Sequence, residues 1–307
     1  MSIYRIAGHL IAETVSKQEN PDAIPGFSCF RSEKEKPDET FLLHFDTHVP
    51  LLNWTVDPQH TFMFEQFVCD FSEDKGIYLF RMALPENEHP LLMEIHREDE
   101  GFRAVSNLGA GQKAKGTGKS SFAFRPLPFA PFRFALWVAL GVAALHRQTV
   151  AAHASAVMYG GKSVLFLGES GTGKSTHTQL WLRHIPDTEL LNDDSPFLNV
   201  SDDINVYGSP WSGKTPCYKA LKTPLAALVR LRQAPFNQIK RLNTLEAIGA
   251  VLPSFPAIFA YDKTLSGYMH DILSGILQQA PVYTLDCLPD ASAAKLVFDT
   301  LRKNGSL

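Results

Sequence analysis

The sequence predicts an α/β phosphate-loop domain in its C-terminal part, preceded by a β-rich N-terminal domain of α+β character. Three observations carry this prediction. An apolar run, Ser163 to Leu167, leads into a glycine-rich turn, Gly168 to Ser175, and then into helix-compatible text. Short aromatic and branched runs separated by polar breaks fill Ile3 to Leu108. Between these regions lies Gly109 to Ser121, rich in Gly, Lys and Ser and without apolar periodicity. We therefore place a β-rich domain at 1–115, a linker at 116–129 and the phosphate-loop domain at 130–307.

The strands of the first domain are read from Tyr4-Arg-Ile, Phe41-Leu-Leu-His-Phe, Gly76-Ile-Tyr-Leu-Phe and Leu91-Leu-Met-Glu-Ile, each bounded by turn-forming residues. Its histidines and acids are dispersed and form no catalytic constellation, so they read as surface groups. The apolar run Phe134 to Leu145 is shorter than the ~20 residues of a spanning helix. With Arg133, His146 and Arg147 at its ends, it reads as a buried helix opening the second domain. From Val150 onward the order is strand, tight turn, strand, loop, helix, strand and loop, with further helices near Leu245 to Leu252 and Ala291 to Arg302.

Composition narrows the partners. The 307 residues are 45% hydrophobic, 11% aromatic and 20% charged, ordinary globular usage. A net charge of -3 and a pI near 6.4 supply no general field for nucleic acid or an anionic membrane. The cysteines, Cys29, Cys69, Cys217 and Cys287, lack metal-ligand or CxxC spacing and read as thiols of a reducing compartment. The Met1-Ser-Ile-Tyr-Arg start has no secretory pattern, which leads us to expect a cytoplasmic protein.

Gly168-Glu-Ser-Gly171-Thr-Gly173-Lys174-Ser175 matches G-x-x-x-x-G-K-[ST], with the strand before and the helix after that the motif requires. Glycines let the backbone turn its N–H groups inward, and a helix N-terminus adds positive potential, so the segment is built to hold a nucleotide polyphosphate. We expect Gly168, Glu169, Ser170, Gly171, Thr172, Gly173, Lys174, Ser175 and Thr176 to form this cradle. Lys174 would place its charge on the β/γ-phosphates, and Ser175 its hydroxyl on Mg²⁺. The second GTGKS string, Gly116 to Ser120, has Lys113 where the motif needs glycine and no apolar strand before it, so it reads as linker.

Glu189-Leu-Leu-Asn192-Asp193-Asp194-Ser195-Pro196 reads as a strand ending in paired acids. Phosphoryl transfer to a hydroxyl uses one carboxylate in the Mg²⁺ shell and another as proton acceptor, so the two acids suit a division of labour. Adjacent strand residues face opposite ways, which predicts a loop conformation at the acids if both are to approach the phosphates. His153, in Ala-Ala-His153-Ala-Ser155, lies one hairpin ahead of the phosphate-loop strand. Gly208-Ser-Pro-Trp211-Ser-Gly213-Lys214 is punctuated as a shaped turn, with Lys214 a candidate for meeting substrate and Trp211 a candidate pocket wall.

Together, His153-Ala-Ser-Ala-Val, Gly168 to Ser175, Leu191-Asn-Asp193-Asp194 and Gly208 to Lys214 resemble the HPr serine kinase/phosphorylase-like family, over roughly residues 130–303. The resemblance implies the fold shared with phosphoenolpyruvate carboxykinases. It also implies Asp193 as general base, Asp194 as Mg²⁺ partner together with Ser175, and His153 beside the base. The expected activity is Mg-dependent transfer of the γ-phosphoryl of ATP to a serine-type hydroxyl of a protein, a peptide or free serine, with GTP or pyrophosphate as other donors and a homo-oligomeric state suggested. A nucleotide-dependent switch with slow hydrolysis and a carboxykinase-like enzyme are the alternative readings.

Overall fold

The computed structural model describes residues 1–14, 26–34, 38–47, 57–84, 90–107, 129–213 and 215–307. The expected linker lies almost wholly outside the described residues, as do the second GTGKS string and Lys214. The fold is mixed α/β, with two large sheets and a few helices. It divides into two compact units, Met1–Arg5 with His9–Ala143, and Ile6–Gly8 with Ala144–Leu307.

The first unit is built on an eight-stranded sheet. Its strands are β1 (Ser2–Ile6), β2 (His9–Thr14), β3 (Leu43–Asp46), β4 (His60–Phe64), β5 (Phe67–Asp74), β6 (Ile77–Ala83), β7 (Leu91–Glu98) and β8 (Gly101–Ser106), in the order β1-β2-β3-β8-β7-β6-β5-β4. Helix α1 (Phe129–Leu145) follows. The sequence assigned this helix to the second domain, but its residues through Ala143 belong to the first unit. The reason is aromatic packing: Phe134 stacks on Phe64 at 3.7 Å and meets Phe80 edge-on at 5.9 Å, while Phe132 meets Phe45 at 5.6 Å. Among the described residues no helix is long and apolar enough to cross a membrane.

The second unit holds β9 (Thr149–Ala151), β10 (Ala154–Tyr159), β11 (Lys162–Leu167), α2 (Lys174–His184), β12 (Glu189–Asp194), β13 (Phe197–Asn199), β14 (Asn205–Tyr207), β15 (Lys222–Gln233), β16 (Gln238–Arg241), α3 (Thr244–Val251), α4 (Lys263–Gln279), β17 (Val282–Cys287) and α5 (Ala291–Lys303). The β10–β11 hairpin turns on Gly160 and Gly161, with φ of 56° and 79°, a mirror-image turn open to glycine at both positions. Strand β15 is long enough to serve two neighbourhoods. Its first residues pair with β14, and from Leu225 onward it runs parallel to β11 and then to β17. The unit's strand order, β12-β10-β11-β15-β14-β13-β9 with β17 and β16 branching from β15, puts β11, the strand that leads into the glycine-rich turn, between β10 and β15.

The core of this unit lies between the sheet and helices α2 and α5, where Val164, Phe166, Val229 and Leu285 meet Trp181, Val297 and Leu301. Trp181 is fully buried against Phe166, so Trp181→Ala would cost about 3–5 kcal/mol. The helix text near Leu245 and Ala291 appears as α3 and α5, each with an N-cap: Asn243 accepts from Glu246 N at 3.0 Å, and Asp290 from Ala293 N at 3.0 Å. Helix α4, capped by Asp262, was not expected from the sequence.

Candidate active site

Strand β11 stops at Leu167 and α2 begins at Lys174, so the loop between them stands at the end of the sheet. Gly171 and Gly173 take φ of 82° and 101°, left-handed values that a side chain resists. Gly168 is required for another reason: a Cβ there would run into Thr172 Oγ1. Thr172 closes the turn, its N and Oγ1 both donating to Glu169 O, at 3.2 and 2.8 Å. The first N–H groups of α2 have no partner inside the helix and stand where the glycine-rich loop ends.

Lys174 folds back over the loop. Its Nζ donates to Gly168 O at 2.8 Å, to Glu169 O at 3.2 Å and to His153 Nε2 at 2.9 Å. Burial pushes its pKa down; the carboxylate of Asp194 opposes that shift and the Arg230 guanidinium adds to it. An ammonium has only donors, so His153 accepts at Nε2 and carries its proton on Nδ1. That Nδ1 lies 3.4 Å from Asp194 Oδ1.

The acids come from β12, whose neighbour β10 places Ser155 opposite Asp193 and Ala154 opposite Asp194. Asp193 is buried, and its Oδ1 accepts from Ser155 Oγ at 2.6 Å and Ser175 Oγ at 3.0 Å. Asp193 Oδ2 is buried without a hydrogen-bond partner. Asp194 is the more open of the two, its side chain 42% exposed. Both acids line one cleft of about 390 Å³ with His153, Ser155, Ser170, Gly171, Gly173, Lys174, Ser175, Thr176 and Gly213.

Two expectations need correction here. The acids do not sit in a loop; they are the last residues of β12. Asn192 makes this workable, because its Oδ1 accepts from Asp194 N at 3.1 Å and Ser195 N at 2.8 Å and so curls the strand end toward the cleft. Ser175 is also bonded to Asp193, whereas Asp194 faces His153, the reverse of the expected pairing. Among the described residues no group of three or more His, Cys, Asp or Glu could form a metal cage. A nucleotide-borne Mg²⁺ needs only one or two protein oxygens, the rest coming from phosphate and water. Ser175 and the unpartnered Asp193 Oδ2 fit that requirement.

No protein-family model matches the chain, and no curated protein matches it.

The segment Gly208 to Gly213 packs against the strand that carries the acids. Trp211, expected as a pocket wall, is buried against Phe197 and is not among the residues lining the cleft. Its carbonyl accepts from Asn192 Nδ2 at 3.0 Å, and Gly213 N donates to Asp193 O at 2.8 Å, so this turn braces the acid strand. A Cβ on Gly213 would lie 2.6 Å from Asp193 O. Three residues beyond the expected set belong to the site. Ser155 was legible in principle, since strand alternation puts it on the same face as His153. Gly213 stood inside a motif already singled out. Arg230 had no local signal: it lies on β15 opposite Leu167, donating to Glu169 Oε1 at 2.7 Å and Ala250 O at 3.2 Å.

Proposed function

We propose that this chain is an ATP-dependent kinase that transfers the γ-phosphoryl group to a serine-type hydroxyl of a protein, a peptide or free serine. Its C-terminal domain would then be of the HPr kinase/phosphoenolpyruvate carboxykinase type. The observation that carries this reading is the shared cleft. There a phosphate loop lies within hydrogen-bond reach of one buried acid and beside a second, open acid with its own histidine. Such a transfer asks the protein mainly for positioning and charge stabilisation.

The loop N–H groups and the N-terminus of α2 would hold the polyphosphate, and Lys174 would leave His153 to meet its β- and γ-oxygens. Ser175 and Asp193 would hold the Mg²⁺, which when bound neutralises charge on the phosphates. Asp194, open to the cleft and backed by His153, would accept the proton of the attacking hydroxyl. The new bond joins that oxygen to the γ-phosphorus, and the bond from phosphorus to the bridging oxygen breaks, releasing ADP. This exchanges the roles that resemblance gave the two acids; the Ser175–Asp193 hydrogen bond supports the exchange.

The test is incubation of the full-length protein and its Lys174→Ala variant with γ-labelled ATP, GTP or pyrophosphate and a panel of acceptors: free serine, serine peptides, serine-bearing proteins and water. The expected result is label on a serine hydroxyl from the native protein and none from the variant. Label appearing only in inorganic phosphate would refute the kinase reading.

A further inference from the structure

The phosphate cleft has a catalytic side and an opposite side, and the opposite side carries a feature with no role so far. His153, Ser155, Asp193 and Asp194 all belong to the β10–β12 flank of β11. On the other flank, β15 pairs Arg230 with Leu167, the last residue of β11, and then continues through Leu231, Arg232 and Gln233. Those residues extend about 10 Å past the end of β11, alongside the phosphate loop. Gln233 Nε2 donates to Gly171 O at 3.3 Å, so the end of β15 reaches the crest of the loop.

Immediately beyond, two turns are fastened to each other. Ala234 N donates to Cys287 O at 3.1 Å, and Asn237 Oδ1 accepts from Leu288 N at 2.8 Å. Asn237 Nδ2 donates to Asp290 Oδ1 at 3.1 Å and Ser292 Oγ at 2.7 Å. On this scaffold Phe236 stands 51% exposed and Leu288 38% exposed. Scattered exposed apolar residues are ordinary. These two are held by a hydrogen-bonded frame that abuts the phosphate loop, on the flank away from the acids.

Resting on the kinase reading, a nucleoside triphosphate with its terminal phosphoryl at Asp194 and His153 must lead its other end across the loop toward β15. We infer that Phe236, with Leu288 on the adjoining turn, is the platform on which the base of the bound nucleotide packs. An aromatic face accepts any base by stacking, whereas a bare polyphosphate gains nothing from it. The platform thus makes the donor a nucleoside triphosphate in preference to inorganic polyphosphate.

The experiment is calorimetric titration of Mg·ATP and of Mg·tripolyphosphate into the full chain and its Phe236→Ser, Phe236→Trp and Leu288→Ser variants. The native protein should bind ATP more tightly than tripolyphosphate. Phe236→Ser should weaken ATP about tenfold and leave tripolyphosphate unchanged, Phe236→Trp should keep ATP binding, and Leu288→Ser should lose less than Phe236→Ser. ATP binding unaltered by Phe236→Ser, or equal losses for both ligands, would overturn the platform. A native protein that binds tripolyphosphate as tightly as ATP rejects the platform while the phosphate loop stands. One that binds neither ligand rejects the loop and the platform together.

Discussion

Exchanging each acid for its amide separates the two roles. In Asp193→Asn, Oδ1 can still accept from Ser155 and Ser175, which lie 2.6 and 3.0 Å away. The amide nitrogen replaces the buried Oδ2, which has no partner, and burying that NH₂ costs about 1–3 kcal/mol. Removing a buried carboxylate charge offsets part of this cost, so the variant should fold with a modest loss of stability. What it loses is the anionic oxygen beside Ser175, so the Mg²⁺ concentration for half-maximal rate should rise about tenfold or more. In Asp194→Asn the side chain is already 42% exposed, so stability should hardly change. There the proposed proton acceptor is lost, and transfer at saturating Mg²⁺ should fall about 10²- to 10⁴-fold with the Mg²⁺ requirement unchanged. Initial rates against Mg²⁺ for the three proteins decide the matter. If Asp194→Asn shifts the Mg²⁺ requirement and Asp193→Asn abolishes the rate at saturating Mg²⁺, the assignment is reversed.

Three further outcomes are expected. Gly213→Ala puts a methyl 2.6 Å from Asp193 O and 3.4 Å from Asp194 Cβ, so urea unfolding should show a loss of about 1–3 kcal/mol and transfer should drop with it. Arg230→Ala removes a cation that bears on Lys174, and salt-dependent titration should show ATP binding weakened about threefold to fivefold. Its melting temperature should fall by a few degrees: the ion pair to the exposed Glu169 matters little, but Arg230 is only 16% exposed and also donates to Ala250 O. Burial pushes the His177 pKa down to about 4, so between there and the usual 6.5 the unfolded chain binds a proton that the folded one refuses. This contribution is complete above pH 6.5 and is lost as the pH falls, removing about 2 kcal/mol between pH 7 and pH 5; urea unfolding of His177→Gln should lack that part of the pH dependence.

The glycine-rich turn between β11 and α2 was legible because its residues are consecutive and each has a local reason, in turn geometry or in charge. Where side chains converge from separate strands, the text gave less. Ser155 needed only the alternation of β10, but Arg230 depends on the register between β11 and β15, which no local pattern encodes. Trp211 looked like a pocket wall because aromatic residues in Gly/Pro turns often are; the deciding fact is Phe197 beside it. Helix α4 escaped because Gly267 and Gly275 interrupt its text. At Gly275 the interruption is a packing device, since a Cβ there would lie 2.5 Å from Val200 Cγ1. The stripe Leu265, Met269, Ile272, Leu273 and Ile276 is buried and carried the helical period all along.

On the kinase reading, the contact between Lys174 and His153 would link nucleotide binding to the acid that takes the proton. The ammonium lies 2.9 Å from His153 Nε2 and occupies its lone pair, while Nδ1–H faces Asp194. A polyphosphate is a far stronger partner for an ammonium than a neutral imidazole, so the kinase reading has Lys174 move to the phosphates. Nε2 is then left without the lysine, while Nδ1 still faces the Asp194 carboxylate 3.4 Å away. On the kinase reading, His153 would thus be released from the lysine to back Asp194, the proposed proton acceptor, only when the phosphoryl donor is in place. Nitrogen NMR of the histidine ring gives the check. The His153 Nε2 shift should move as the lysine leaves it when a non-hydrolysable ATP analogue and Mg²⁺ are added. Lys174→Ala should show that freed signal before any nucleotide is added. A His153 spectrum indifferent to both changes would mean that the lysine and the histidine are neighbours without a shared function.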